Sequence, residues 1–312
     1  MIASTQKNVT RRIVGENVWL SQESPEIQEI FARQNIPSYE YEVLESEVEV
    51  GRAMLDELQT VAREKQGDVV MLLLGGRGAQ AMYRLINEKA ATGELDDLLR
   101  RLHVFTQDAL APMRMNNGFS FVRDFERLLG NDFFSRIKSF TPMQTDTGDL
   151  EAELAKYLEK LDALGGIDVF FLGLGPEAEA ASHLAYIKPN SGARFGDLAG
   201  IIPISETILE HHISKFKAGG SAVTEADEAE CRAATHILTL APAAILGAKK
   251  VVQSIVDAST APGKRPSFRR VLETEISNDL TVRARQMDEN PGLWLRLHKN
   301  VRSLILPDLL EA

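Results

Sequence analysis

Two kinds of hydrophobic segment alternate along the chain. Residues 47–66 and 149–164 place apolar side chains at intervals of three and four, which is the spacing of a helix with one buried face. A glycine follows each segment, and nearly continuous apolar runs come next, at 69–74 and 167–175. Such runs are typical of strands that are buried on both faces of a parallel sheet.

The same alternation extends over most of the chain. A further helix is predicted at 79–89, and further strands are predicted at 103–107, 199–205, 235–240 and 250–256. Apolar strands separated by amphipathic helices predict an α/β protein with three layers, in which helices cover both faces of a doubly wound, mostly parallel sheet.

The chain shows one candidate boundary, near Pro37. Residues 1–36 have weak periodicity, and we expect them to form an N-terminal extension that packs on the main body. No stretch rich in proline, glycine or serine divides the remainder. We therefore expect residues 37–312 to form a single α/β domain.

The charge balance makes one class of binding partner, nucleic acid, unfavourable. The 312 residues carry 35 Lys and Arg against 45 Asp and Glu, a formal net charge of −10, which disfavours binding to nucleic acid.

The N-terminus has no continuous apolar run, and no later run has the length of a membrane span, so we expect a cytoplasmic protein without membrane contact. Cys231 is the only cysteine, which excludes an internal disulfide. A homo-oligomer is compatible with the sequence.

Three segments that follow predicted strands contain residues suited to binding or catalysis, and ligands of doubly wound sheets bind beyond the carboxyl ends of the strands. The first contains Gly75, Gly76, Arg77 and Gly78, just before the 79–89 helix. Glycines let backbone N–H groups approach an anion, the helix N-terminus adds positive potential, and an arginine can donate two hydrogen bonds to a phosphate. A phosphate site and a simple tight turn are the two interpretations.

The second segment is Asp108, directly after the predicted strand 103–107. A carboxylate at a strand end can cap the segment that follows it. Alternatively, it can act as a general base whose pKa is set by partial burial.

The third segment, residues 173–189, contains Glu177, Glu179, His183 and Lys188. A histidine in such a loop is a candidate acid or base, because imidazole titrates near neutral pH. The alternative is the N-terminus of a helix, with ordinary acidic residues in its first turn and a histidine packed beside them.

The other histidines show no spacing that suggests a metal site. His211 and His212 are adjacent, so their side chains diverge, and His103, His236 and His298 are isolated. No His-x-x-x-His or Glu-x-x-His pair occurs, and we expect no catalytic metal.

These segments, in this order, resemble the sugar-phosphate isomerase and lactonase family typified by glucosamine-6-phosphate deaminase and 6-phosphogluconolactonase. The similarity extends from about residue 39 to residue 306. LLLGGRGAQAMYRLI matches the family's strand and phosphate loop, and VFTQDAL matches its strand that ends in aspartate. GGIDVFFLGLGPEAEAASHLAYIKP is similar to G-I-G-x-D-G-H-I-A-F-N-E-P, and Lys264 lies where the family has a phosphate-binding lysine. The resemblance implies a Rossmann-like fold.

The third segment can be aligned with the family motif in two ways. Counted from Gly-Pro, Glu177 takes the position of the aspartate and Glu179 that of the histidine. Counted from Pro189, His183 takes the position of the histidine, and we prefer this alignment because Ala-Tyr-x-x-Pro also agrees. Lys188 then replaces the glutamate that supports the histidine in isomerases, and its charge would lower the pKa of His183 if the two are close.

The resemblance implies an enzyme that acts on a hexosamine or hexose 6-phosphate without a metal or organic cofactor. His183 would open the sugar ring and Asp108 would move a proton between C2 and C1, with Glu177 or Glu179 as auxiliary carboxylates. The phosphate would be held by Gly75, Gly76, Arg77, Gly78 and Lys264. The alternatives are a 6-phosphogluconolactonase-like hydrolase and a phosphosugar-binding or regulatory protein without catalysis.

Overall fold

The computed structural model describes residues 9–178 and 181–311. Its strands in these ranges are β1 (Thr10–Val14), β2 (Asn17–Ser21), β3 (Glu42–Val43), β4 (Val69–Leu73), β5 (Leu102–Thr106), β6 (Asp108–Ala111), β7 (Ser139–Thr141), β8 (Val169–Leu172), β9 (Gly175–Ala178), β10 (Ala181–His183), β11 (Asp197–Pro203), β12 (His236–Leu240), β13 (Lys250–Ile255) and β14 (Val301–Ile305).

The α-helices in the same ranges are α1 (Pro25–Ala32), α2 (Glu47–Glu64), α3 (Gln80–Thr92), α4 (Asp96–Leu99), α5 (Phe121–Arg136), α6 (Leu150–Ala163), α7 (Glu206–Ala218), α8 (Glu225–Arg232), α9 (Pro242–Leu246), α10 (Lys264–Glu273), α11 (Leu280–Glu289) and α12 (Trp294–Leu297). None of these helices has both the length and the apolar composition of a membrane-spanning segment.

A parallel sheet forms the centre of the fold. In the described ranges its strands follow the order β3-β14-β13-β8-β4-β5-β7, and their pairings are parallel. The side chains of Val69, Met71 and Leu73 from β4 pack in a core with α2, α3 and α5. Val70 and Leu72 point to the other face and pack in a core with α6 and α9. The predicted three-layer α/β fold with a doubly wound, mostly parallel sheet is confirmed.

The two long helices beside the sheet begin at polar caps. The Ser46 hydroxyl accepts a hydrogen bond from the backbone N–H of Glu49, and the Asp149 carboxylate accepts one from the N–H of Ala152. Such caps satisfy N–H groups that have no partner within the helix. α2 and α6 therefore start where the sequence pattern predicts, and they cover opposite faces of the sheet.

A second sheet departs from the prediction. β11 and β12 occupy the predicted segments 199–205 and 235–240, but they lie in an antiparallel sheet of order β1-β2-β11-β12-β6. A run of apolar residues predicts a buried strand, but the direction of its partners depends on the connections between strands. Asp108 lies just past β5, as predicted, and it begins β6 of this second sheet.

The N-terminal residues in the described ranges also belong to the second sheet. β1 and β2 form a hairpin, and β2 pairs with β11. Trp19 from β2 and Phe31 from α1 are buried in the core that contains Leu72. This segment thus packs against the same layer of side chains as the centre of the parallel sheet.

α2 and α3 approach each other closely at Gly51. A β-carbon at this position would lie 2.6 Å from the backbone nitrogen of Met82 and 2.7 Å from the carbonyl carbon of Ala81. α3 follows the glycine-rich segment 75–78, so this contact also determines where that segment lies.

We expect Gly51→Ala to lower the free energy of unfolding by about 1–3 kcal/mol, because backbone atoms of α3 must move to admit the methyl group. Gly148→Ala is the matched control, since a β-carbon there meets no atom within 4 Å. Denaturant unfolding of both variants measures the difference. Equal stability of the two variants would contradict the close contact between α2 and α3.

Candidate active site

A cleft opens at the carboxyl edge of the parallel sheet. It encloses about 670 Å³, part of which is open to solvent. Residues that follow β4, β5, β8 and β13 contribute to its wall, and α7 forms one side. This is the edge at which doubly wound sheets bind their ligands.

The loop after β4 is shaped by its glycines. Gly76 has a φ of +76°, a conformation that other residues rarely adopt. A β-carbon on Gly75 would lie 2.3 Å from the ring of Phe121, so the backbone packs directly against this side chain. The Ser254 hydroxyl donates a 2.6 Å hydrogen bond to the carbonyl of Gly78. The loop is therefore held in place by α5 and β13.

Arg77 lines the cleft, but its guanidinium already has a partner. Its Nη2 forms an ion pair with Oε1 of Glu47 in the first turn of α2. The Arg77 side chain is 39% exposed, so a ligand can reach it. An anion in the cleft would compete with Glu47 for this guanidinium.

Two lysines share one carboxylate after the end of β13. Lys264 Nζ lies 2.5 Å from Asp257 Oδ1, and Lys215 Nζ lies 2.5 Å from Asp257 Oδ2. Burial alone would raise the pKa of Asp257, but the two ammonium charges outweigh it and hold this pKa well below its usual range. Because two cations face one anion, the cluster retains one positive charge that an anionic ligand can neutralise.

Asp108 is a buried carboxyl in the wall of the same cleft. It is 6% exposed, and burial raises its pKa from the ordinary value of 3.8 to about 8. Desolvation disfavours the charged form of a carboxyl, which accounts for the direction of this shift. Asp108 therefore gains and loses its proton near neutral pH.

His183, the last residue of β10, also lines the cleft. Its ring lies 4.7 Å from that of Tyr186, and it packs on Gly175, where a β-carbon would fall 1.8 Å from the imidazole. Burial first, and then the charges of His211 and Lys264, hold the pKa of His183 well below its usual value. Among the described residues its Nε2 has no hydrogen-bond partner. His183 is thus a neutral imidazole at neutral pH.

Lys188 lies outside the described lining of the cleft. Its ammonium donates a hydrogen bond to the carbonyl of Pro203. After burial, the groups that depress the pKa of His183 are His211 and Lys264.

The two acidic residues of the third segment are Glu177 and Glu179. The backbone of Glu177 belongs to β9. Glu179 lies outside the described residues.

Helix α7 carries cleft residues that the sequence pattern did not single out, namely His211, His212 and Lys215. The Nε2 of His212 donates to the carbonyl of Phe119 at 2.7 Å, and its Nδ1 lies 3.4 Å from the Tyr186 hydroxyl. Burial lowers the pKa of His211 to about 3 and that of His212 to about 4. His211 and Lys215 are four residues apart, which places both on one face of a helix. This spacing is the sequence feature from which they could have been identified as a pair.

The chemistry that the cleft can support depends on its charged and hydrogen-bonding side chains. Within the described ranges, no group of three or more His, Cys, Asp or Glu side chains could hold a metal ion. Cys231 is buried, and burial raises the pKa of its thiol to about 12, so the thiol stays protonated. The groups suited to proton transfer are therefore Asp108 and the neutral imidazole of His183.

Comparison with curated proteins finds relatives that are named glucosamine-6-phosphate deaminase. No protein-family model matches the chain. The chain is 28% identical over 230 residues to glucosamine-6-phosphate deaminase of Caenorhabditis elegans. The aligned region covers 72% of this chain and 76% of the relative. It is 26% identical over 157 residues to glucosamine-6-phosphate deaminase of Bacillus pumilus, with coverages of 50% and 52%. The chain thus spans about half the length of the Bacillus relative.

Comparison with solved structures gives the same fold. A monomeric glucosamine-6-phosphate deaminase matches with a TM-score of 0.66 at 20% identity, over 87% of this chain and 98% of that one. The 6-phosphogluconolactonase from Trypanosoma cruzi matches with a TM-score of 0.63 at 14% identity, over 88% and 98%. The protein therefore has the α/β fold that these deaminases and lactonases share. The chain is thus similar in sequence to glucosamine-6-phosphate deaminases, and similar in fold to both these deaminases and the 6-phosphogluconolactonases.

We expect Asp108→Asn to stabilise the protein, and increasingly so between pH 4 and pH 8. In this interval the folded carboxyl keeps a proton that the unfolded chain releases, so the stability of the wild type falls as pH rises, by about 1.4 kcal/mol per pH unit at most. The amide has no charge to bury. Melting curves of the two proteins from pH 4 to pH 9 test this.

The control for this experiment is Asp97→Asn, which changes a fully exposed carboxylate on α4. Its melting temperature should follow that of the wild type at every pH. If Asp108→Asn lowers the melting temperature at pH 9, the carboxyl of Asp108 either has a charged partner or is not buried.

Proposed function

We propose that the protein is an enzyme that acts on a hexosamine or hexose 6-phosphate by opening the sugar ring and transferring a proton between C2 and C1. The observation that carries this proposal is that Asp108 and His183, which follow different strands, line one cleft together with a cationic cluster. The names of the curated relatives support the same class of reaction.

The phosphate of the substrate binds between the 75–78 loop and the cluster of Lys264, Asp257 and Lys215. The loop brings backbone N–H groups toward the ligand, and the excess positive charge of the cluster attracts a dianion. Lys215 takes part although the resemblance did not implicate it, because it shares Asp257 with Lys264. This end of the cleft holds the substrate and leaves the sugar carbons near the titratable residues.

Asp108 is the general base. Its ionised carboxylate removes the proton from C2, and the resulting carboxylic acid returns the proton to C1, so the residue ends in its starting state. A pKa of about 8 makes the carboxylate more basic than an ordinary aspartate, which favours proton abstraction from carbon. Where C2 carries an amine, the amine leaves as ammonia and water supplies the ketone oxygen.

His183 opens the ring. Its imidazole is neutral, and its Nε2 has no hydrogen-bond partner among the described residues. It accepts the proton of the C1 hydroxyl while the bond between C1 and the ring oxygen breaks, and the imidazolium then gives this proton to the ring oxygen, which becomes a hydroxyl. Tyr186 packs against the imidazole and thereby fixes its orientation in the cleft.

The neutral imidazole also supports a second candidate, a 6-phosphogluconolactonase-like hydrolase. In that reaction His183 would take a proton from a water molecule, and the hydroxide would attack the lactone carbonyl of a phosphosugar. The bond between the carbonyl carbon and the ring oxygen would then break, and the imidazolium would return its proton to the leaving oxygen. Release of ammonia distinguishes the deaminase, and release of acid from a lactone distinguishes the hydrolase.

We expect the wild type to turn over at least one member of a panel of aminosugar phosphates, hexose phosphates and phosphosugar lactones. Asp108→Asn and His183→Ala should each reduce kcat by about 100-fold or more, because each removes a proton-transfer group. Melting curves should show both variants folded. Asp97→Asn and His236→Ala, which change residues outside the cleft, are the matched controls and should retain full activity.

Full activity of Asp108→Asn would contradict the proposed base. If the wild type acts on no compound in the panel but binds some of them, the protein is a phosphosugar-binding module, and the proposed catalysis is wrong.

The pH dependence of kcat/KM provides an independent check. If Asp108 must be ionised, kcat/KM should rise about tenfold per pH unit below pH 8 and level off above it, since its pKa is about 8. His183 stays neutral over this range, so it adds no second sloping region to the plot of kcat/KM against pH. Initial rates from pH 6 to pH 9, corrected for spontaneous reaction of the substrate, give the profile. A rate that declines with rising pH would rule out Asp108 as the base.

A further inference from the structure

A second cavity, here called the outer cavity, adjoins the cleft. It encloses about 1210 Å³, part of which is open to solvent, and the described residues that line it come from α2, the 75–78 loop, α3, α7 and the segment after β13. Arg77 and Lys215 line both spaces, so the two cavities meet at these side chains. Neither Asp108 nor His183 lines the outer cavity, which is therefore suited to binding rather than to proton transfer.

The outer cavity is positively charged in an acidic protein. Among the described residues that line it, Arg77, Arg84 and Lys215 are cationic and Glu47 is anionic, so three positive charges face one negative charge. The whole chain, in contrast, has a formal net charge of −10. A concave surface with a local excess of one sign of charge concentrates ligands of the opposite sign.

Arg84 is the cation most available to a ligand. Its Nη2 lies 3.2 Å from Oε1 of Gln80, which is a neutral amide oxygen. In the described ranges its guanidinium pairs with this oxygen and with no carboxylate. By contrast, Arg77 is paired with Glu47 and Lys215 with Asp257.

The start of α3 adds positive potential to the same space. Gln80, the first residue of this helix, lines the outer cavity, and Arg84 follows one turn later. The N-cap residue Ala79 offers no side chain to the N–H groups of the first turn. The partial positive charge of the helix N-terminus complements the guanidinium of Arg84.

We propose that the outer cavity binds a second anionic group of the ligand, so that the preferred ligand is a diphosphate whose second phosphate lies beyond the one held in the cleft. The proposal rests on the proposed function, which places the first phosphate at the 75–78 loop. Arg77 and Lys215 lie between the two anionic groups, and Arg84 binds the outer one through its planar guanidinium. Glu47 opposes binding, because it neutralises Arg77 and repels an anion.

Isothermal titration calorimetry with inorganic phosphate and inorganic pyrophosphate tests this. The wild type should bind pyrophosphate about tenfold or more tightly than phosphate, owing to charge-assisted hydrogen bonds with the second group. Arg84→Gln should abolish most of this gain and leave the affinity for phosphate unchanged. Glu47→Gln should change affinity in the opposite direction and tighten the binding of pyrophosphate severalfold.

The matched control is Arg100→Gln, which removes an exposed arginine directly after α4 and changes the net charge by the same amount. It should leave both affinities unchanged, and melting curves should show every variant folded. If phosphate binds but pyrophosphate gains nothing, or if Arg84→Gln keeps the full gain, the outer cavity proposal is wrong while the site in the cleft stands. If phosphate does not bind at millimolar concentration but pyrophosphate binds in an Arg84-dependent manner, the outer cavity is supported and the phosphate site in the cleft is wrong.

Discussion

The parallel pairing of β4 with β5 and β8, and of β8 with β13, is the constraint on which the cleft depends. Parallel strands end at the same edge of a sheet, so segments that are far apart in the sequence emerge side by side. The 75–78 loop, Asp108 and Asp257 meet in one cleft for this reason. Because β4 and β8 are buried on both faces, the hydrophobic layers that stabilise the sheet also hold this edge in place.

The two buried carboxyls of the cleft show how surroundings assign different roles to the same chemical group. Burial alone would raise the pKa of both carboxyls. Asp257 has two ammonium groups within 2.5 Å and remains ionised, which makes it a fixed counter-ion. The pKa of Asp108 is raised by burial, and it titrates near neutral pH. Two carboxyls with widely separated pKa values can divide structural and chemical roles between them.

Much of the fold and part of the cleft follow from local sequence patterns. The apolar runs of β4 and β8 and the amphipathic helices α2 and α6 predict the three-layer architecture. The rule that ligands bind at strand ends selects the 75–78 loop and Asp108, and it applies equally to Asp257, which follows β13 but was not singled out.

What could not be predicted depends on contacts between distant segments. The directions of β11 and β12 follow from the connections of the chain, and the partner of Arg77 is Glu47, on a helix that lies earlier in the sequence. His211 and Lys215 reach the cleft from α7, a helix beside the strand ends, so a search confined to loops omits them. Lys188 donates a hydrogen bond to the carbonyl of Pro203, a contact that no local pattern reveals.

Asp108 begins a strand of the second sheet, and this has a consequence for the order in which the protein is assembled. β6 pairs with β12, and β2 pairs with β11, so strands made early must wait for partners made much later. β4 and β5, in contrast, can pair soon after both are synthesised. Contacts between distant segments form slowly, because a long stretch of chain must be ordered first. On the ribosome, the parallel sheet can therefore begin to form while Asp108 still lacks its partner strand, and the cleft becomes complete only when α10 has followed β12 out of the exit tunnel.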